Sequence, residues 1–251
     1  MVRLDEHDEP QLIGAEALVR VRDTDGSFIP PIDFLPELGS HELAAAIDSR
    51  VMSKSHERLA SWHEQSIVPM GFRVALNFGP AMMNDHTVVD RLAESIAEHG
   101  LDASWVMIEI PETVESVNPT TLDGLRRLGV TLAIDDVGVA YSNLERMVDL
   151  NADIAKLDRR WMPDVANAQR QNFEILSGLV DQCRGLGLEV IAEGVETHEQ
   201  VEMLSELGVA LFQGYLFGRP VSLFDFERTW CHDFAVDEAT SSDDLPQTEI
   251  H

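Results

Sequence analysis

The sequence is poor in cysteine, in basic residues and in long apolar runs, and each shortage excludes a class of protein. Two cysteines, Cys183 and Cys231, occur in 251 residues without metal-ligand spacing, which excludes a disulfide scaffold and predicts a reducing, cytoplasmic location. Only 18 lysines and arginines oppose 45 acidic residues, so the net charge should repel nucleic acid polymers and anionic membranes. No run approaches the roughly 20 apolar residues of a membrane span, and the N-terminus has no apolar signal core. The sequence therefore predicts a soluble protein that has neither nucleic acid nor membrane as a partner.

Apolar runs of strand length alternate with segments of helical periodicity, which is the pattern of repeated βα units around a parallel sheet. With 44% hydrophobic residues, the chain can bury a sizeable core, and a single α/β barrel fits its length. The predicted strands are LIGAEALVR, FRVALNF, WVMIEIP, VTLAIDD, ADIAKLD, LEVIAEG and VALFQGY. The predicted helices are HTVVDRLAESIAEHG, NPTTLDGLRRLG, QNFEILSGLVDQCRGLG and THEQVEMLSELG, each ending at a glycine suited to a left-handed C-cap.

The composition changes near the end of the chain. The last residues, DEATSSDDLPQTEIH, are polar and acidic and include few that could form a core. Such a composition is typical of disorder. We therefore predict one folded domain over residues 1–230 and an acidic, disordered tail over residues 231–251.

Two adjacent aspartates, Asp135 and Asp136, end one of the apolar runs, and polar groups also end the others. In a parallel βα barrel the C-terminal ends of the strands share one face, where active sites are built, so these side chains should converge. The full set is Glu16, Arg20, Asn77, Glu109, Glu112, Asp135, Asp136, Lys156, Asp158, Glu193, Glu196 and Gln213.

The converging carboxylates would repel one another unless cations compensated their charge. Bound divalent metal ions would compensate this charge most simply. Oxygen ligands without histidine or cysteine suit Mg²⁺ or Mn²⁺ rather than Zn²⁺. A single acid at a strand end is equally typical of a helix N-cap, and Asp158 and Glu196 are open to that interpretation. The N-cap interpretation is weaker for the pair Asp135 and Asp136, because neighbouring residues on a strand point to opposite faces and one of them needs a partner other than solvent.

Seven motifs resemble, in order and rough spacing, those of the EAL domain family of bacterial cyclic di-GMP phosphodiesterases. They extend over residues 14–220, and AEGVET followed by QGYLFGRP is the most specific part. The motifs are EALVR, LNFG, IEIPE, DDVGVAYSNL, AKLD, AEGVET and QGYLFGRP.

This resemblance implies an α/β fold, a modified TIM-type (βα)8 barrel whose antiparallel first strand is largely missing or truncated here, since only MVRL precedes the acidic turn. It also implies hydrolysis of one phosphodiester bond of cyclic di-GMP to linear pGpG with two Mg²⁺ or Mn²⁺ ions, and inhibition by Ca²⁺, which prefers looser coordination. The metal ligands carried over from the family are Glu16, Asn77, Glu109, Asp135 and Asp136.

The resemblance also assigns roles to the remaining polar residues. Lys156 would hold the attacking water, Glu193 would act as general base or metal-site partner, and Glu112 would anchor the loop after Asp136. The substrate contacts implied are Arg20, Leu18, Asp158, Glu196 and Gln213. In the family that loop also links the site to a dimer interface, so the resemblance implies a homodimer.

The loop after Asp136 departs from the family pattern. Where the family usually has DDFGTG, this chain has DDVGVA, so the regulation of the site is more in question than its chemistry. Two alternatives to an active phosphodiesterase follow. One is a weak or silent domain that acts as a cyclic di-GMP receptor or binds a protein, and the other is a metal-dependent barrel hydrolase for a different phosphoester.

Overall fold

The computed structural model describes residues 1–25, 28–29, 31–34, 41–114, 117–139, 144–162 and 170–231. Within these residues one nine-stranded sheet has the order β2-β1-β11-β10-β9-β8-β7-β6-β3. Its strands are β1 (Val2–Leu4), β2 (Pro10–Leu12), β3 (Gly14–Glu16), β6 (Arg73–Asn77), β7 (Val106–Pro111), β8 (Thr131–Val137), β9 (Ile154–Leu157), β10 (Glu189–Glu193) and β11 (Leu211–Gln213). The strands β4 (Val21–Arg22) and β5 (Phe28–Ile29) form a separate hairpin pair.

The large sheet curves into a nearly closed barrel because its two edge strands, β2 and β3, are consecutive in the chain. Only Ile13 separates them, and its backbone N–H donates to the Met1 carbonyl while its own carbonyl accepts from Arg73 N. Strand β1 runs antiparallel to β11 and β2, whereas the pairs from β3 through β6 to β11 are parallel. The antiparallel first strand, which was predicted to be largely missing or truncated, is therefore present as a strand of three residues.

The helices connect the parallel strands and lie outside the barrel. They are α1 (Pro31–Phe34), α2 (His41–Glu64), α3 (Pro80–Met83), α4 (Val88–Glu98), α5 (Pro119–Leu128), α6 (Leu144–Leu150), α7 (Arg170–Gly185), α8 (His198–Glu206) and α9 (Leu223–Trp230). Gly129 caps α5 with a φ of 89°, the left-handed conformation expected of a C-cap glycine. No helix among the described residues is long and apolar enough to cross a bilayer.

Apolar side chains form two layers. The larger cluster lies between sheet and helices and includes Leu59, Phe72, Leu92, Leu132 and Phe212. A smaller layer consists of one side chain from each of the six neighbouring strands β6 to β11 and fills the interior of the barrel. It comprises Ala75, Met107, Ala133, Ile154, Ile191 and Leu211, with Met1 and Ile13 against it. Burial of both layers fixes the strand ends that carry the polar residues.

The seven predicted strands and four predicted helices all correspond to observed elements, but five helices, α1, α2, α3, α6 and α9, were not predicted. The longest, α2, and the last, α9, were missed, and the predicted strand LIGAEALVR ends at Glu16 instead of continuing to Arg20. The predicted tail lies outside the described residues apart from Cys231.

Candidate functional site

Lys156 lies at the centre of the polar residues that end the barrel strands. It is on β9, its side chain is 1% exposed, and its Nζ lies 2.5 Å from Glu109 Oε1 on β7 and 2.7 Å from Glu193 Oε1 on β10. Asp135 Oδ1 on β8 is 3.1 Å away and Glu16 Oε2 on β3 is 3.8 Å away. Five different strands therefore bring the predicted residues to one point, as expected for the C-terminal face of a barrel.

Burial and mutual charge shift the pKa values of this cluster. Burial raises the pKa of Glu109 well above its usual range, and Glu16 and Asp135 add to the rise. Burial likewise raises the pKa of Glu193 to about 7, despite the positive charge of Lys156. Burial alone would lower the pKa of Lys156, but the surrounding carboxylates outweigh it and raise that pKa well above the usual value. The lysine is thus held in its charged form, and Glu193 titrates near neutrality.

Glu16 is oriented by two amides. Asn77 Nδ2 donates to its Oε1 and Gln213 Nε2 donates to its Oε2, both at 2.8 Å. Burial raises the pKa of Glu16, but the charge of Lys156 and these two hydrogen bonds outweigh it, so the pKa is lowered overall. Glu16 is therefore an ionised carboxylate in a fixed orientation.

The strand pattern predicts that the adjacent side chains of Asp135 and Asp136 point to opposite faces of the sheet. In the structure they do not. Asp136 has a φ of 58°, and the pairing of β8 with β9 is irregular between Ile134 and Val137. A bulge of this kind re-aims side chains at a strand end. As a result Asp135, Asp136 and Glu193 each offer a carboxylate oxygen within 4.8 Å of the others.

Asp136 also interacts with Asp158. Burial, followed by the negative charge of Asp135 and a hydrogen bond to Asp158, raises the pKa of Asp136 to about 6. Asp158 also accepts hydrogen bonds at 2.8 Å from the backbone N and Nε of Arg160 and so caps a short 3₁₀ turn. The cap interpretation therefore holds for Asp158 in addition to its place in the site. For Glu196 it is wrong, because Thr197 caps α8.

Glu112 holds the loop that follows Asp136. Its Oε2 accepts the backbone N–H groups of Gly138 and Val139 at 3.0 and 3.1 Å. Gly138 has a φ of 91°, and a Cβ at this position would meet the indole of Trp161 at 2.2 Å. The loop is thus fixed from one side by a carboxylate and from the other by an indole ring. Residues 140–143 of the predicted motif lie outside the described residues.

An open cleft of about 800 Å³ adjoins this cluster. Leu18, Asp158, Glu196 and Gln213 line it, together with Glu16, Asp136 and Glu193. Arg20 is exposed and does not line it; its Nη1 donates to the Val19 carbonyl at 2.7 Å. The structure therefore brings every predicted residue except Arg20 to the cluster, its supporting loop or the cleft.

Sequence reasoning assigned no role to Trp161, Tyr215 or Arg219. Trp161 covers Gly138, and Arg219 lies over the Tyr215 ring at the cleft. The sequence signals were a tryptophan three residues after Asp158 and the two residues inside QGYLFGRP, but neither signal identifies a contact by itself.

The donor set fits a divalent cation. Four carboxylates surround Lys156, and a fifth, that of Asp136, lies within 4.8 Å of those of Asp135 and Glu193. Among the described residues, Glu109 Oε2 is buried without a hydrogen-bond donor. Buried carboxylates that outnumber the nearby cations destabilise the fold unless a further positive charge is bound. All the candidate donors are carboxylate or amide oxygens, as Mg²⁺ and Mn²⁺ prefer.

Fold and site together define the class: an α/β barrel with a carboxylate-rich polar site at the C-terminal ends of its strands. The EAL domain family model matches residues 4–220. This chain therefore belongs to the EAL domain family.

Known proteins of this family align with most of the chain. The cyclic di-GMP phosphodiesterase NbdA of Pseudomonas aeruginosa is 33% identical over 217 residues, which cover 84% of this chain and 27% of NbdA. A MucR phosphodiesterase in complex with cyclic di-GMP is 29% identical, with a TM-score of 0.78 and coverage of 85% of this chain and 87% of that one. A manganese and cyclic di-GMP complex of Klebsiella pneumoniae BlrP1 is 27% identical, with a TM-score of 0.70, and covers 87% of this chain and 54% of that one. The chain thus spans about a quarter of the length of NbdA.

Proposed function

We propose that this chain is a phosphodiesterase that hydrolyses one phosphodiester bond of cyclic di-GMP to linear pGpG in the cytoplasm. The observation that carries the proposal is the cluster of Lys156 with Glu16, Glu109, Asp135 and Glu193, which joins five strand ends beside an open cleft. Membership of a family that includes cyclic di-GMP phosphodiesterases supports the choice of substrate.

We assign the binding of two divalent cations, Mg²⁺ or Mn²⁺, to Glu16, Asn77, Glu109, Asp135 and Asp136. When bound, such ions offset charge on the scissile phosphate and lower the pKa of a coordinated water. Two observations support this assignment: Asn77 and Gln213 fix the orientation of Glu16, and the bulge in β8 brings carboxylate oxygens of Asp135 and Asp136 close together.

Lys156 and Glu193 act on the attacking water. Their Nζ and Oε1 atoms are 2.7 Å apart, so one water can contact both groups. Lys156, held charged, donates a hydrogen bond that orients the water oxygen toward phosphorus. Glu193, with a pKa raised to about 7, is suited to accept the proton of that water near neutral pH. The water oxygen then forms a bond to phosphorus as the phosphorus–oxygen bond of the leaving ribose breaks, and the freed ribose oxygen takes up a proton from solvent to become a hydroxyl.

The cleft residues Leu18, Asp158, Glu196 and Gln213 contact the bound dinucleotide. Leu18 is 42% exposed at the rim and offers an apolar surface to a base. Arg20 extends away from the cleft as its side chain now lies, so its phosphate contact requires rotation of that side chain. Glu112 acts indirectly by holding the loop after Asp136.

Chromatographic analysis of the chain incubated with cyclic di-GMP and Mn²⁺ tests the proposal. We expect pGpG, and we expect Glu16→Gln to abolish its formation, whereas Glu189→Gln, at the opposite end of β10, should not. Chelation should stop the reaction and Ca²⁺ should inhibit it. Dinucleotide that binds but stays intact with every metal tested would favour the receptor function. No binding at all would contradict both the phosphodiesterase and the receptor function.

We further propose that two copies associate through the loop after Asp136. Val148 on α6, the helix that follows this loop, is 56% exposed, and an apolar side chain so placed suits a contact between copies. Sedimentation of the chain and of Val148→Glu tests this, since we expect the variant to be monomeric. A chain that is already monomeric at all concentrations would contradict it.

A further inference from the structure

Arg219 and Tyr215 form a preorganised pair at the rim of the cleft. The guanidinium carbon of Arg219 lies over the Tyr215 ring, 4.3 Å from its centroid, and both residues line the cleft. Cation–π attraction engages the positive charge and not a particular N–H group, so the guanidinium keeps its donors for another partner. The tyrosine thus restrains the arginine without saturating it.

Arg219 has no carboxylate partner among the described residues, although the chain has 45 acidic and 18 basic residues. Among the described residues, carboxylates lie within 4.0 Å of Arg3, Arg91, Arg160 and Arg228, but none lies that close to Arg219. An arginine held in place and left unpaired is available to a ligand that enters the cleft.

The surroundings of the pair suit a flat, aromatic group. Leu18, Tyr215 and Val221 line the cleft and are 42%, 49% and 52% exposed. Apolar side chains at this level provide contact area for a nucleobase face. A base positioned there would present its hydrogen-bonding edge to the arginine fork.

We propose that Arg219, held by Tyr215, is a specificity-determining residue that reads the O6 and N7 acceptors of one guanine of the substrate. This inference rests on the proposed function and names a residue that selects the base. A guanidinium donates two parallel hydrogen bonds to these acceptors, whereas adenine presents an amino group in place of O6, so that two donors would face each other. Arg219 therefore favours guanine over adenine and does not act through the phosphates.

Three variants separate base recognition from charge. Arg219→Met removes the donors, Arg219→Lys keeps the charge but loses the fork, and Tyr215→Leu removes the ring that restrains the arginine. Arg228→Met is the matched control, because Arg228 is an exposed arginine on α9 that pairs with Asp225 and does not line the cleft. The binding of cyclic di-GMP and cyclic di-AMP is measured by calorimetry in EDTA, and hydrolysis of both is measured with Mn²⁺.

For Arg219→Met and Arg219→Lys we expect the preference for cyclic di-GMP over cyclic di-AMP to fall by about 10-fold, with a smaller fall in Tyr215→Leu and none in Arg228→Met. A 7-deaza analogue of cyclic di-GMP should bind the original chain more weakly than cyclic di-GMP does. The Arg219→Met variant should bind the two dinucleotides with equal affinity. Equal losses for the guanine and adenine dinucleotides would mean a phosphate contact and would overturn the inference while leaving the proposed function intact. An original chain that binds neither dinucleotide would overturn both.

Discussion

Lys156 is the only basic side chain in the described part of the chain that lies within 4.0 Å of the carboxylates of Glu109, Asp135 and Glu193. Its Nζ lies within 3.1 Å of oxygens of Glu109, Asp135 and Glu193. Lys156→Met should therefore lower the free energy of unfolding by about 3–5 kcal/mol in EDTA, because it leaves uncompensated buried charge. Thermal denaturation measures this, and Mn²⁺ should stabilise the variant more than the original chain.

The matched control for this prediction is Arg3→Met. Arg3 pairs with Glu189 across a surface where both side chains are about half exposed, and such pairs contribute little to stability. The two variants should also differ in activity, since Lys156→Met should reduce kcat more than substrate affinity. Equal stability of the two variants in EDTA would contradict the role given to Lys156.

Gly138 occupies a position in the loop after Asp136 where there is no room for a side chain. Gly138→Ala would place a Cβ 2.2 Å from Trp161 Nε1 and would strain a backbone with a φ of 91°. We expect the variant to shift the loop held by Glu112 and to reduce turnover. Kinetics and thermal denaturation of Gly138→Ala and of the double variant with Trp161→Leu measure the effect.

If the indole is the obstacle, the double variant should recover part of the loss, since leucine leaves room that the indole occupies. Gly71→Ala is a control for backbone strain alone, because Gly71 also has a positive φ but no atom lies within 4 Å of a Cβ built there. A loss in Gly138→Ala no greater than in Gly71→Ala would show that Trp161 does not restrain the loop.

At the scale of secondary structure elements, α2 and α4 are joined by a buried histidine. His56 on α2 is fully buried, and its Nδ1 lies 2.8 Å from Ser95 Oγ on α4. Burial, with a smaller contribution from the charge of His99, lowers the pKa of His56 from 6.5 to about 4. Between these values the unfolded chain binds a proton that the folded chain does not, so folding becomes less favourable as the pH falls.

We therefore expect His56 alone to lower the stability of the fold by up to about 3 kcal/mol between about pH 6.5 and about pH 4. Glu193 and Asp136, with their raised pKa values, act in the opposite direction over part of this range, so the contribution of His56 is the difference between the original chain and a variant without it. His56→Gln cannot take up the proton, so its stability relative to that of the original chain should increase as the pH falls over this range. His7→Gln, at an exposed position, is the control and should match the original chain. Denaturant unfolding across this pH range measures the slopes, and equal slopes for all three proteins would refute the assignment to His56.

Elements with a clear apolar pattern were predictable, and those without one were not. Strand β8 and helix α5 combine apolar runs or stripes with a glycine stop, and both lie within a few residues of the predicted ends. Helix α2, HELAAAIDSRVMSKSHERLASWHE, spreads alanines and charged residues around the helix, so no sharp apolar face marked it. Its 24 residues form a helix because Met52, Leu59 and Trp62 are buried against the sheet, a tertiary effect that the local pattern does not encode.

The polar site was predictable as a set but not as a geometry. Parallel strands bring their C-terminal ends together whatever their loops do, so convergence of Glu16, Glu109 and Asp135 followed from topology. The orientation of Asp136 did not follow, because it depends on a bulge and a positive φ. The pair of Arg219 and Tyr215 was equally inaccessible, since it depends on how one side chain folds back over another.

At the scale of the whole molecule, the net charge of −27 acts on stability as well as on binding. Ion pairs with both partners exposed, such as those of Arg3 and Arg228, contribute little, whereas repulsion among the excess acids grows with compaction. Added monovalent salt should therefore stabilise the fold by screening. Raising NaCl from about 0.01 M to about 0.1 M shortens the Debye length from about 30 Å to about 10 Å.

We expect Tm in EDTA to rise over this range of salt, and the excess charge can be reduced directly as a check. Glu6 and Glu9 are exposed beside the turn that joins β1 to β2, so Glu6→Gln with Glu9→Gln should raise Tm at low salt and reduce its dependence on salt. EDTA is needed because a divalent cation in the site would stabilise the fold by binding, independently of screening. A Tm that falls as NaCl rises would mean that attractive ion pairs outweigh the acidic excess, and it would contradict this account of the molecule's charge.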